Sequence, residues 1–210
     1  SHIFNLSITS GIFPEKFKTS RTVPIFKAGD TQSCDNYRPI SLLSSISKVL
    51  EKFISIQLTN HLELNNLLYH HQYGFQKRKS TEHNLIHLTN EIFSALNDKK
   101  YCIGLFLDLK KAFDVCSHSI LLKKLGKYGI HGIAHEWFGS YLKDRKQKVD
   151  INGSLSSVKT LNISVIQGSI LGPILFLIYI NDLYGASTLL KLMFADDTAC
   201  VASDTNLETL

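Results

Sequence analysis

Three carboxylates in this sequence have the type and spacing to do chemistry together. Asp196 and Asp197 stand side by side in Lys191-Leu-Met-Phe-Ala-Asp-Asp-Thr-Ala-Cys200, between two short apolar arms. Asp108 closes the mostly apolar run Tyr101–Leu107. Adjacent acids disfavour each other's ionisation. At the tip of a largely buried hairpin such a pair therefore needs solvent, a basic partner or a divalent cation. Asp-Asp in a plain surface turn is common, so the hairpin alone leaves that reading open. The second acid-ended strand changes the balance. Two strands that each deliver an acid to one place supply three oxygen-ligand residues, the minimum for a two-cation site.

The elements that must position these acids follow from periodicity. Leu192, Met193 and Phe194, with Ala199, Cys200 and Val201, suit the two strands of a hairpin. Upstream, a short helix in residues 1–20 gives way to a turn at Gly11 and Pro14, then a strand over 21–26 and a return segment ending at Ile40. Ser41 is expected to open an amphipathic helix with Leu42, Ile46, Val49, Leu50 and Phe53 on its core face. Thr81 is expected to cap a second, with Leu85, Leu88, Ile92 and Leu96 turned inwards. Helices over about 119–127 and 133–143 follow, the latter with the only tryptophan, Trp137. The strand Arg145–Ile151 runs into Asn152-Gly153, a strong hairpin signal. A helix to Leu183, apolar almost all round, should be buried. This irregular alternation favours an α+β arrangement over a doubly wound sheet.

Other segments admit two readings each. Lys27 and Arg38 flank the first hairpin, as a phosphate clamp or as an ordinary solvated pair. Gln72–Thr81 mixes aromatics with Lys77, Arg78 and Lys79, which suits template-phosphate contact and base stacking, or simply a solvated basic loop. The basic strand 145–151 suits a nucleic-acid backbone, or an edge hairpin guarded by lysines. In Gln167-Gly168-Ser169, Gly168 allows close backbone approach to a ligand, and Pro173 fits a helical first turn. His61, His70 and His71 lack zinc-ligand spacing.

Bulk properties set the frame. A chain of 210 residues, 44% hydrophobic and 20% charged, supports one domain or two closely fused ones and argues against disorder. A net charge of +5 leans mildly towards polyanionic partners. Four cysteines without a CxxC pair, three of them in apolar segments, read as buried thiols in a reducing compartment. There is no signal peptide, and the most apolar run, 170–180, falls short of the ~20 residues a bilayer requires. An intracellular setting, cytoplasm and nucleus, is expected. The chain starts without Met and reads as a piece of something longer.

The order of these motifs carries a resemblance. An acid-ended strand with Ala112-Phe113-Asp114, the start Gln167-Gly168-Ser169 and the hairpin Phe194-Ala-Asp-Asp197 are similar to the palm motifs of reverse transcriptases. They most resemble those of non-LTR retrotransposons, including jockey-like mobile elements. Tyr37-Arg-Pro-Ile-Ser-Leu-Leu43, Gly74-Phe75 and the opening Phe4-Asn-Leu6, Gly11-Ile-Phe-Pro14 and Pro24-Ile-Phe-Lys27 match the finger motifs, so the resemblance covers essentially the whole chain. It implies an RNA-directed DNA polymerase with fingers-like residues 1–98 and palm residues 99–210, an antiparallel palm sheet backed by helices, and no thumb. It implies that Asp108, Asp196 and Asp197 hold two Mg²⁺ ions, with an RNA template, a DNA primer and deoxynucleoside triphosphates as partners. Lys27 and Arg38 then meet the triphosphate, and Phe113 excludes a 2′-hydroxyl. Gln167, Gly168 and Ser169 position template and nucleotide.

The sequence departs from the family pattern in three places. Ser164-Val165-Ile166 stands where Gly-Val-Pro is usual, Ser117 replaces an aspartate before His118, and Lys77-Arg78-Lys79 occupies a turn that usually holds glycine. None removes one of the three expected metal ligands. They keep an alternative open: a degenerate, catalytically inactive nucleic-acid-binding remnant.

Overall fold

The computed structural model describes residues 2–210. Its elements in order are α1 (His2–Ser10), β1 (Thr19–Phe26), β2 (Tyr37–Leu42), α2 (Ser45–Leu64), α3 (Thr81–Asn97), β3 (Tyr101–Leu107), α4 (His118–Lys127) and α5 (Gly132–Leu142). Then come β4 (Arg145–Ile151), β5 (Ser154–Leu155), β6 (Lys159–Leu161), α6 (Gly172–Ile180), β7 (Leu190–Phe194) and β8 (Asp197–Asp204). The mixture of helices and mainly antiparallel strands agrees with an α+β chain.

Two sheets share the strands. In the smaller, β3, β8 and β7 lie side by side, all antiparallel. In the larger, β1 pairs antiparallel with β2 and parallel with β4, which also pairs with β5 and β6. Asn152 (φ 51°) and Gly153 (φ 88°) form the two-residue turn between β4 and β5, both in the left-handed region such turns require. The larger sheet thus draws strands from both sides of residue 98.

Helix α6 occupies the core because nearly every side of it is apolar. Ile174, Leu175, Phe176, Leu177, Ile178 and Ile180 are buried. Around it pack Leu121 and Leu125 of α4, Trp137, Phe138 and Tyr141 of α5, and Leu50, Leu58 and Leu62 of α2. Each such side chain contributes roughly 1.5–3 kcal/mol by leaving water. Trp137 also donates to the Ser7 hydroxyl (3.0 Å), tying α5 to α1. No described helix is long and apolar enough to cross a membrane. All four cysteines are free, Cys116 and Cys200 buried and Cys34 exposed.

Several expectations are corrected. Ser41 belongs to β2, and the helix begins at Ser45. Of the expected stripe only Leu50 is buried. Ile46, Val49 and Phe53 are exposed, while Ser47, Glu51, Leu58 and Leu62 face the interior. The helix has two apolar faces, and periodicity cannot rank them. In α3, Leu85 and Leu96 are exposed, and only Ala95 is buried. Ser80, not Thr81, caps α3, its hydroxyl accepting from the His83 amide. The core helix ends at Ile180, giving way to a 3₁₀ turn over Asn181–Ala186. Strand β4 is no edge: Arg145 is buried, its guanidinium 4.4 Å from the Tyr141 ring and donating to the Tyr141 carbonyl, and Asp150 pairs with Arg21.

Candidate active site

The smaller sheet brings the three acids to one end. Leu107 of β3 lies opposite Thr198 of β8, so Asp108 and Asp197 emerge from neighbouring strands in register. Phe194 pairs with Asp197, leaving Ala195 and Asp196 as a two-residue turn. All three acids line one cleft of about 1180 Å³, together with Lys27, Arg38, Phe113, Gln167, Gly168 and Ser169. Nine predicted residues therefore share one concavity. Lys77, Arg78 and Lys79 lie outside it.

Among the described residues, none of the three acids has a salt-bridge partner. Burial, followed by the neighbouring Asp196 and Asp108 charges, holds the Asp197 carboxyl above the usual carboxylate range. As they stand, no three His, Cys, Asp or Glu side chains among the described residues are arranged to hold an ion. The donor set nonetheless fits Mg²⁺. Three uncompensated oxygen donors at the end of an open cleft leave the rest of an octahedral shell to water and phosphate oxygens, as that ion prefers.

The walls of the cleft come from both sheets. The β1–β2 hairpin presents Lys27 and Arg38 on its exposed side. Lys111, just past Asp108, pairs with Asp35 at 2.8 Å and so tethers that hairpin's loop to the acid-bearing side. Phe113 stacks on Phe176 (4.5 Å, 16°) and meets Phe75 edge-on, giving the floor a rigid aromatic surface. Gln167 donates to Asp114 (3.3 Å), whose carboxyl is raised by burial.

At the next two residues the structure revises the sequence reading. Gly168 (φ 104°) does permit a close approach, but to this chain's own backbone. A Cβ there would sit 2.5 Å from the Ser41 carbonyl oxygen, and Ser41 N donates to Gln167 O at 2.8 Å. The Ser169 hydroxyl is turned inwards. It donates to Ile166 O and accepts from Gly172 N, satisfying the first amide of α6. These two residues thus shape the loop that presents Gln167.

Two residues escaped the sequence reading. Glu51, fully buried in α2, accepts from the Ile170 amide (2.9 Å) and the Ser47 hydroxyl (3.2 Å), bracing the same loop from behind. Gln72, buried beneath the Asp-Asp turn, holds Ala195. The available signals were a carboxylate between Leu50 and Lys52 within a largely apolar helix, and a carboxamide two residues before Gly74. Lys79, expected on a template phosphate, instead donates to the His70 and Gln72 carbonyls, because the loop folds back over it.

Comparison with known proteins follows the same line. The pattern defining the reverse transcriptase (RNA-dependent DNA polymerase) family matches residues 25–208. In Drosophila melanogaster, the probable RNA-directed DNA polymerase from transposon BS is 36% identical over 188 residues, which are 86% of this chain and 20% of that protein. The corresponding protein of the X-element is 35% identical over 95% of this chain and 22% of its own length. The RNA-directed DNA polymerase from mobile element jockey is 31% identical over 98% and 23%. The chain thus spans about a fifth of each of these relatives. Among solved structures, Candida tropicalis telomerase truncated from its C-terminal domain superposes with a TM-score of 0.62 at 14% identity, over 94% of this chain and 46% of that one. Candida albicans telomerase, in complex with a fragment of telomeric RNA, gives 0.61 at 14% identity over 99% and 42%. At such identities the likeness is one of fold. The motif order, the acid-bearing sheet and the match over most of the sequence lead to one conclusion: this chain belongs to the reverse transcriptase family.

Proposed function

We propose that the cleft is the nucleotidyl-transfer site of an RNA-directed DNA polymerase from a non-LTR retrotransposon. The observation that carries this is the meeting of Asp108, Asp196 and Asp197, without cationic partners, in a cleft also lined by Lys27 and Arg38. Asp108, Asp196 and Asp197 would hold two Mg²⁺ ions. Bound there, the ions would supply charge neutralisation and an activated primer 3′-hydroxyl. Lys27 and Arg38 neutralise the incoming triphosphate, Lys as a point charge and Arg as a fork. Phe113, braced on Phe176, sits beneath the sugar and rejects a 2′-hydroxyl by exclusion. Gln167 presents its carboxamide to the nucleotide or template from a loop fixed by Gly168, Ser169 and Glu51. Lys77 and Arg78 remain free to meet template phosphates outside the cleft. In this reading residues 1–98 are fingers-like, completed by β4–β6, and 99–210 supply the palm. The partners are an RNA template, a DNA primer and deoxynucleoside triphosphates.

The degenerate-remnant reading has one observation in its favour. Ser164 adopts φ 112° where the family usually carries glycine, a strained backbone beside the Gln167 loop. Deoxynucleotide incorporation onto a DNA primer annealed to RNA, with Mg²⁺, separates the two. Incorporation that Asp196→Asn abolishes establishes the polymerase. RNA binding without incorporation, in wild type and variant alike and also when the chain is supplied within a full-length relative's framework, establishes the remnant. In an active chain, Phe113→Ala should relax discrimination against ribonucleotides by roughly 10- to 200-fold, the range a shape-selective apolar contact provides.

A further inference from the structure

We infer that Gln72 is a positioning residue for the candidate acids, its carboxamide fixing the turn that presents Asp196 and Asp197. The inference rests on the nucleotidyl-transfer reading above and adds a residue to it.

The segment His71–Tyr73 runs beside β7 as a short parallel extension of the acid-bearing sheet. Met193 N donates to His71 O at 2.9 Å, and Tyr73 N donates to Met193 O at 2.7 Å. This pairing delivers the Gln72 side chain, 2% exposed, under the hairpin turn. Its Oε1 accepts from Ala195 N (2.9 Å) and Gly74 N (2.8 Å), and its Nε2 donates to Ala195 O (3.3 Å). One carboxamide therefore satisfies both backbone polar groups of the residue directly before Asp196. The orientation of the amide follows from the network, since two N–H groups need its oxygen and one carbonyl needs its nitrogen.

Two features make this clasp specific to the turn. Ala195 holds φ 56° and is 3% exposed, so its peptide groups have no water to turn to and its left-handed conformation depends on these bonds. Gly74 lets the clasping backbone come close: a Cβ there would lie 2.3 Å from Ala195 N and 2.9 Å from Ala195 Cα. Gln72 is absent from the cleft lining and acts on the acids only through the turn. Partners of this kind, one step removed from a metal ligand, set the direction in which the ligand points.

The test uses Mn²⁺ as a probe of the carboxylates, titrated against the chain by the loss of its free-ion paramagnetic signal. Thermal unfolding and hydrogen exchange at the Ala195 amide are followed alongside. Wild type, Asp196→Asn, Gln72→Met and Gln72→Glu are compared. We expect Gln72→Met to bind Mn²⁺ roughly 10- to 100-fold more weakly, the usual cost of losing such a partner. The Ala195 amide should lose its protection in the same variant. Gln72→Glu, which keeps both accepted bonds and loses only the donated one, should retain that protection; it is read in place of Gln72→Met if the latter fails to fold. Loss of Mn²⁺ binding in Asp196→Asn with unchanged affinity in folded Gln72→Met would overturn the clasp and leave the polymerase reading standing. Full Mn²⁺ affinity in Asp196→Asn, or no binding by wild type, would instead overturn the metal reading on which the clasp depends.

Discussion

The two strands that carry acids to the cleft are supported in opposite ways. On the β7 side the turn is built into the interior: Leu192, Met193 and Ala195 are buried, and Gln72 and Gly74 grip the turn from below. On the β3 side, Asp108 ends an edge strand whose apolar residues face outwards, Phe106 being 71% exposed and Leu105 52%. Past Asp108 the chain turns through Lys111 (φ 55°) and is held by the solvent-exposed pair Lys111–Asp35. Solvated pairs of that kind contribute little, because water and salt screen them. The Asp196–Asp197 turn is therefore preorganised by the core, whereas Asp108 rests on strand register and a weak tether until the chain re-enters the core at Ala112 and Phe113. If the proposed site is correct, organisation at binding would fall on the β3 side, where packing leaves most undone.

The largest effect should come from the acids themselves, and here the two sides should not differ. On the proposed reading, Asp108→Asn and Asp196→Asn would each remove a charge the two ions need, several kcal/mol of transition-state stabilisation, or about 10³-fold or more in rate. Primer extension under saturating nucleotide would check this. A loss confined to one of the two would mean that the other is not a metal ligand.

A pair of glycines breaks the comparison open next. A Cβ at Gly74 collides with the Ala195 backbone, so Gly74→Ala must push the turn aside, at a cost in the range of ~1–3 kcal/mol for overpacking. A Cβ at Gly104 in β3 meets only the Phe106 ring edge at 3.4 Å, so Gly104→Ala should be neutral or slightly stabilising. Thermal unfolding reads both. For a chain of this size each kcal/mol moves Tm by about 2–4 °C. Equal effects at the two glycines would remove the contrast between the two sides.

Acidification acts on the same corner with two signs. Burial, then the neighbouring His70 and His87, lowers the His71 ring to about 4. Between its ordinary 6.5 and about 4 the unfolded chain binds a proton that the folded chain refuses. Stability from His71 is therefore lost as pH falls through that window. Because the ring is partly solvated, a loss of about 1 kcal/mol is the appropriate scale, some 2–4 °C in Tm. His71→Asn should flatten that part of the pH profile. The raised Asp197 carboxyl works the other way: within its window the folded chain holds a proton that the unfolded chain has released, so the fold gains on protonation while the carboxylate that would bind the proposed metal is lost. Mn²⁺ affinity should thus fade at a higher pH than an ordinary carboxylate would dictate.

What was legible in the sequence follows the range of the interactions involved. The Asp-Asp hairpin, the acid-ended strand, the Asn152-Gly153 turn and the buried α6 were all readable, since each rests on residues within one element or one turn. The clasp was not, because Gln72 and Ala195 stand 123 positions apart and nothing local marks a carboxamide as inward-facing. Gly168 was readable as a point of close approach, whereas its partner, the Ser41 carbonyl, belongs to another strand. The choice of face on α2 failed for the same reason. The helix buries Glu51 because the α6 loop offers it amide donors, and that loop lies more than a hundred residues downstream.

A last, smaller effect concerns the loop between β6 and α6. Ser164 donates its amide to Cys116 O (2.8 Å), and its carbonyl accepts from His118 Nε2 (2.7 Å), so both backbone groups are pinned while φ stands at 112°. A side chain held there costs about 1–3 kcal/mol. Glycine adopts that φ without the clash but gives back roughly 0.5–1 kcal/mol of chain entropy. Ser164→Gly should therefore stabilise the fold by about 1 kcal/mol, raising Tm by some 2–4 °C. The Gln167 loop lies three residues on, so relief of this strain should also sharpen nucleotide use in an active chain, which steady-state KM would register. An unchanged or lowered Tm would show that the pinned loop carries no strain. The family's usual glycine would then have no stability advantage at this position, and the departure at Ser164 would cease to favour a decaying copy.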